Sequence, residues 1–107
     1  MSRHTLTGAL GRSVARTSME GVIIREMAED MDLNEWETGF VASVVGRMTG
    51  DYVRAPSERQ VACLERMGIS MDEVADERRA RQAAAEERRR EQRRAHREWQ
   101  AQNGRGY

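Results

Sequence analysis

The sequence of 107 residues contains no lysine, one cysteine and one proline. Exclusive use of arginine fits a GC-rich coding sequence. Because Cys63 is alone, the chain has no internal disulfide, and nothing points to an oxidising compartment. The longest apolar run, residues 21–24, is too short to span a bilayer, and no basic-then-apolar signal segment opens the sequence. We therefore expect a cytoplasmic protein, of a bacterial cell or an infected host, with no membrane partner.

Residue types that carry most enzyme chemistry are also scarce. His4, His96 and Cys63 lie far apart and in no metal-ligand spacing. A Ser or Cys nucleophile in the predicted helical body would need a neighbouring base, but both histidines fall outside that body. No glycine-rich loop of a phosphate-binding type is present. These absences predict a non-enzymatic protein that uses neither a cofactor nor a metal.

Four capping signatures predict an all-α fold. In each, Ser, Thr or Asn is followed three residues later by Glu or Gln, so that both side chains bind free backbone amides at a helix start. The pairs are Thr17 with Glu20, Asn34 with Glu37, Ser57 with Gln60, and Ser70 with Glu73. They predict helices over residues 18–31, 35–48, 58–67 and 70–102.

Apolar residues spaced three and four apart predict that the first three helices form a compact body over residues 18–69. Gly50 and Gly68 end the second and third helices, and Ile69 is placed to pack back on the last turn. Three short helices bury little apolar surface, so a partner or a second copy of the chain could complete the body. The predicted core consists of Met19, Val22, Ile23, Met27, Met31, Trp36, Phe40, Val41, Val44, Val45, Met48, Val61, Leu64 and Met67.

The two ends of the chain have weaker patterns. Residues 1–17 are interpreted as a basic N-terminal arm or a short helix, in which Leu6, Leu10 and Val14 share one face. Residues 103–107 contain two glycines and are expected to form a flexible tail.

The fourth predicted helix is rich in arginine, and half of the 18 basic residues of the chain lie in residues 78–97. It lacks Gly, Pro and β-branched residues over residues 75–101, and would be about 45 Å long at about 1.5 Å per residue. It has almost no apolar face, so we expect it to stand in solvent and not to pack into the body. The sequence does not say whether the helix projects away from the body or folds back along it. Pairs four residues apart are expected to support it, namely Glu77 with Arg81, Glu86 with Arg90, and Arg94 with Glu98.

On a helical wheel, six arginines of this helix fall within an arc of about 120°, and most of its glutamates lie opposite. Guanidinium groups on one side could follow a phosphate backbone, and an aromatic side chain beyond them could stack on bases. A solvated helix laced with ion pairs, or a helix paired with an acidic partner helix, would explain the same charges. The candidate binding residues are Arg78, Arg79, Arg89, Arg90, Arg93, Arg97 and Trp99.

One stretch resembles a short helical element of assorted phage and plasmid proteins. Residues 34–40, with the pattern Trp-Glu-x-x-Phe, precede a loop and residues 56–67, with the pattern Ser-x-x-Gln-x-x-x-Leu. Pro56 stands where that element usually has leucine. The resemblance covers about a third of the chain and implies a phage or mobile-element origin, often near DNA-metabolism functions, but no site residues.

Two functions follow as hypotheses. The first is a small accessory protein of phage or bacterial origin that binds the phosphate backbone of nucleic acid through the arginine side of its C-terminal helix. The second is a protein-interaction module, such as a phage inhibitor or adaptor on a host complex or a small virion component, whose arginines meet an acidic protein surface.

Overall fold

The computed structural model describes the backbone of residues 3–104 and the side chains of residues 14–104. Within these limits the chain forms four helices and no strand: α1 (Arg3–Glu29), α2 (Glu35–Thr49), α3 (Glu58–Met67) and α4 (Met71–Asn103). The predicted all-α class, with three helices followed by a long C-terminal one, is confirmed. No helix in this part of the chain is long and apolar enough to cross a membrane.

Helix α1 differs from its prediction at its N-terminus. The sequence places a helix start at Thr17, whereas the backbone is helical from Arg3 and Thr17 lies buried inside α1. Glu20 does not cap the helix but pairs with Arg78 of α4, so the capping signature reflects a tertiary contact instead. The side chains of residues 3–13, including the predicted apolar face of the arm, lie outside the described residues, as do residues 105–107 of the predicted tail.

The capping predictions for α2 and α3 are confirmed. Both side chains of each pair, Asn34 with Glu37 and Ser57 with Gln60, bind the partner's backbone amide. At the start of α4 only half of the box forms, because the Ser70 hydroxyl accepts from the Glu73 amide at 3.4 Å without the reciprocal bond. Caps of this kind stabilise a helix start by about 1 kcal/mol each.

The turn between α3 and α4 depends on glycine. Gly68 has φ of 104°, a left-handed conformation that costs an L-residue roughly 1 kcal/mol or more. Its amide and that of Ile69 donate to the carbonyls of Glu65 and Leu64, which satisfies the end of α3. Ile69 is 1% exposed and joins the core, as predicted. The turn thus holds α4 close to the body from its first residue.

The core lies where α1, α2, α3 and the start of α4 meet. Gly21 allows α1 and α2 to approach closely, since a Cβ at that position would come within 2.9 Å of side-chain atoms of both Met48 and Thr49. Several predicted core residues of α1 and α3 are only partly buried and pack around the edge. The buried apolar residues of the described chain are Ile23, Ile24, Val41, Val44, Val45, Met48, Leu64, Ile69 and Val74.

Trp36 is a correction to the predicted core. It is 66% exposed, and it stacks on the partly buried Phe40 with ring centroids 5.4 Å apart. The buried side of α2 is centred on Val44 and Met48, and on a wheel Trp36 lies about 80° away from Val44 in the first turn. The ring is therefore at the rim of the body. Tyr52, in the loop after α2, is 90% exposed.

Helix α4 has two parts with different surroundings. Its first part packs against α1, where Val74 and Arg78 are buried and Met71 is partly so. Every residue over 86–104 is exposed, which corresponds to about 27 Å of helix at about 1.5 Å per residue. The expectation that the whole helix stands in solvent is therefore wrong for its first part. The molecule is elongated, with dimensions of 65 × 42 × 23 Å.

Candidate nucleic-acid interface

The first predicted site residue, Arg78, faces the body. Its side chain is 10% exposed, and its Nε lies 3.1 Å from a carboxylate oxygen of Glu20, whose side chain is 17% exposed. The Nε–H is not aligned on that oxygen and has no other acceptor among the described residues, so the contact is an ion pair without a well-formed hydrogen bond. Arg78 thus joins α4 to α1 and is not available to a ligand.

Two further arginines of the first part are also engaged by carboxylates. Arg79 is exposed and pairs with Asp76 one turn earlier. Arg81 contacts Glu26 of α1 and donates from Nε to Glu77 at 2.9 Å, which is the four-apart pair predicted from the sequence. The hydrogen bond from Arg81 lowers the pKa of Glu26 below its ordinary value, while Glu26 and Glu77 together raise the pKa of Arg81. Of these contacts only that of Arg81 with Glu26 joins α4 to the body, and the other two lie within α4.

The remaining predicted arginines lie on the exposed second part of α4, residues 86–103, which we call its projecting part. Arg89, Arg90, Arg93 and Arg97 are all exposed, and none forms an ion pair with a described residue. Arg89 also donates from Nε to the Ala85 carbonyl at 3.4 Å, which holds its side chain along the helix. On a wheel these four arginines fall within about 100°. We call them the distal arginine face.

Carboxylates near this face are not paired with it. The predicted pairs Glu86 with Arg90 and Arg94 with Glu98 are not formed within the described helix. Glu87, Glu91 and Glu98 lie on the opposite side of the wheel, and only Glu86 falls on the side of the distal arginine face. The charges of the projecting part are therefore only partly separated: no described carboxylate is ion-paired with the distal arginine face, although Glu86 lies within its arc and Arg90 borders a depression that Glu86, Glu87 and Glu91 also line.

Trp99 lies on the same exposed part of α4 as the distal arginine face but further around the helix, about 80° from Arg89 and about 160° from Arg97 on the wheel. It is 61% exposed, and its ring stacks on His96 with centroids 6.3 Å apart and planes 13° apart. His96 also lines a shallow surface depression together with Gln92 and three of the arginines. The sequence prediction did not include His96, although its position one turn before Trp99 could have indicated that the two rings meet.

The body carries a separate apolar groove, which the sequence did not predict. It has a volume of about 440 Å³ and lies between α1 and α2. Met31, Leu33 and Val45 are among its apolar lining residues, and Arg25 and Glu29 supply charge to it. The groove is distant in sequence from the distal arginine face and shares no residue with it.

Comparison with protein families, with curated proteins and with solved structures finds no match to this chain.

Proposed function

We propose that this is a small, non-enzymatic accessory protein that binds nucleic acid through the distal arginine face of α4. A bacterial or phage origin and a cytoplasmic location belong to the same proposal. The observation that carries it is the contrast along α4: the arginines near the body are engaged by carboxylates, whereas Arg89, Arg90, Arg93 and Arg97 are exposed and unpaired within the described residues.

The geometry suits contacts with phosphates more than recognition of sequence. Arg89 to Arg97 spans about 12 Å of helix axis at about 1.5 Å per residue, so four guanidinium groups can follow a short length of backbone. Each phosphate that they neutralise releases counterions, so affinity should fall as salt rises. Four contacts predict a slope of log K against log[salt] of about −3 for a single strand and about −3.6 for duplex DNA.

Titration of fluorescently labelled oligonucleotides at several salt concentrations tests the proposal. The double variant Arg93→Gln/Arg97→Gln should bind more weakly and reduce the magnitude of the slope by about 1.4 for a single strand, because two phosphate contacts are lost. Both side chains are exposed, so the substitutions should leave the fold intact.

The matched control is Arg59→Gln/Arg66→Gln in α3, which removes the same charge from two exposed arginines of the body. It should leave the slope unchanged. If both double variants weaken binding equally, net charge and not the distal arginine face determines affinity. Absence of binding to DNA and RNA at low salt would refute the proposal.

A protein-interaction module is the second candidate, favoured by the exposed Trp36 stack and by the apolar groove of the body. In that case the distal arginines would meet an acidic protein surface, and complexes captured from lysate would survive nuclease treatment. Light scattering tests whether the body instead pairs with a second copy of the chain.

A further inference from the structure

The projecting part of α4 combines free positive charge with an exposed aromatic surface. Trp99 is held on one side by His96, with ring planes 13° apart, while 61% of the residue is open to solvent. The same His96 lies beside Arg89, Arg93 and Arg97 in one surface depression. On a wheel His96 lies between the indole and the guanidinium groups of Arg89 and Arg93, so these four side chains follow one oblique strip of the helix surface.

The strip has the length of a few nucleotides. From Arg89 to Trp99 it extends about 15 Å, which equals the rise of about four or five stacked nucleotides at about 3.4 Å each. No residue over 86–104 is buried, so nothing in the described chain blocks the approach of a strand to it.

We propose that this strip binds single-stranded nucleic acid, with phosphates on Arg89 and Arg93 and an unpaired base stacked on the free face of Trp99. This inference rests on the proposed function and specifies its ligand. His96 is a positioning residue, because its ring supports the indole from the side opposite the base.

The aromatic ring is what distinguishes a single strand from a duplex. Duplex bases stack on each other, so a helix lying along the phosphates offers Trp99 no base face. In a single strand the bases are free to leave the stack, and each stacked base contributes enough to change affinity by about 5- to 150-fold. Every base has a π-face, so stacking on Trp99 favours single strands over duplexes but favours no particular base sequence.

The experiment uses the full chain with the substitution Trp36→Phe, which leaves Trp99 as its single tryptophan and changes a side chain that is already 66% exposed. We expect a 12-nucleotide single strand, of DNA or RNA, to quench the emission of Trp99 on binding. We expect the duplex of the same sequence to bind without that quenching.

Affinities are then compared for Trp99→Ala and for the matched control Trp36→Ala, each in an otherwise native chain. Trp99→Ala should weaken single-strand binding by about 5- to 150-fold and duplex binding by less than about twofold. Trp36→Ala should change neither, although it removes an equally exposed indole. Circular dichroism should show full helix content in both variants, since alanine is the best helix former.

Two results would overturn the inference while leaving the proposed function in place. One is an equal loss of single-strand and duplex affinity in Trp99→Ala; the other is salt-dependent binding of a single strand with no change in Trp99 emission. Failure to bind any nucleic acid at low salt would instead refute the proposed function itself.

Discussion

The ion pair between Arg78 and Glu20 leads to a quantitative prediction about how α4 is attached to the body. We consider the substitution Arg78→Met, which keeps an unbranched stem of similar length to pack against α1 but removes the guanidinium group. Glu20 would then keep a carboxylate with a side-chain exposure of only 17% and no cation beside it. The substitution therefore tests the charge and not the packing.

The expected cost follows from the burial of the pair. Removing one partner of a fully buried pair costs about 3–5 kcal/mol, since an unpaired charge stays behind. Here both side chains keep some exposure, and the Arg78 Nε lacks a well-aligned hydrogen bond, so we expect the lower value of about 2 kcal/mol. Proteins have a free energy of unfolding of about 5–15 kcal/mol, so a loss of about 2 kcal/mol is readily measured.

Urea denaturation followed by circular dichroism measures the effect, in a double-mutant cycle with Glu20→Gln. The double variant should be more stable than Arg78→Met alone, because no charge is left unpaired, and the coupling between the two positions should exceed about 1 kcal/mol. A loss below about 0.5 kcal/mol in Arg78→Met, or strictly additive effects, would show that the pair contributes nothing specific to the attachment.

Two further predictions concern the body. Gly21→Ala should destabilise the fold by about 1–3 kcal/mol in urea denaturation, because the added Cβ would lie 2.9 Å from Met48. Gly39→Ala is the control: its added Cβ would contact nothing within 4 Å, so it should stabilise α2 by about 0.5–1 kcal/mol. Equal effects of the two substitutions would contradict the close crossing of α1 and α2. Arg81→Gln should raise the pKa of Glu26 towards its ordinary value in an NMR titration, since the Arg81 hydrogen bond lowers it. In the native chain this depressed pKa favours folding above the unfolded-state pKa, and that contribution is lost as pH falls through the folded pKa; a Glu26 pKa unchanged by the substitution would show that the contact with Arg81 is not formed in solution.

The elements that the sequence predicts well are those that depend on neighbouring residues. The caps at Asn34 and Ser57 and the glycine end at Gly68 satisfy backbone groups within one turn, so a short pattern contains nearly all of the information. The buried stripe around Val44 follows from helical periodicity in the same way.

The elements that the sequence predicts poorly depend on contacts between helices. Glu20 has the spacing of a capping residue from Thr17, yet it is used by Arg78, which lies 58 residues later in the chain. Trp36 has the chemistry of a core residue, but in the first turn of α2, about 80° around the wheel from Val44, it is 66% exposed. Local patterns do not encode which face a neighbouring helix covers.

The candidate site also has a part that the sequence predicts well and a part that depends on contacts between helices. The wheel groups six arginines of α4 by direction alone, which is correct for a straight helix but says nothing about where the body ends. The structure engages Arg78 and Arg79 with carboxylates and leaves the four distal arginines exposed. Position along the helix, and not only direction around it, therefore determines which arginines can meet a ligand.

The two parts of α4 are linked by the helix itself. Val74, Arg78 and Ala85 lie on the side that faces the body, and on a wheel that same side continues as His96 and, at its edge, Trp99. A helix of 33 residues without internal glycine or proline transmits its orientation from one end to the other. The packing of the first turns on α1 therefore fixes the direction in which the distal strip faces. Arginine has different surroundings in the two parts: near the body Arg78 and Arg81 pair with carboxylates of α1, and beyond the body the four distal arginines are exposed and unpaired within the described residues, as the proposed function requires.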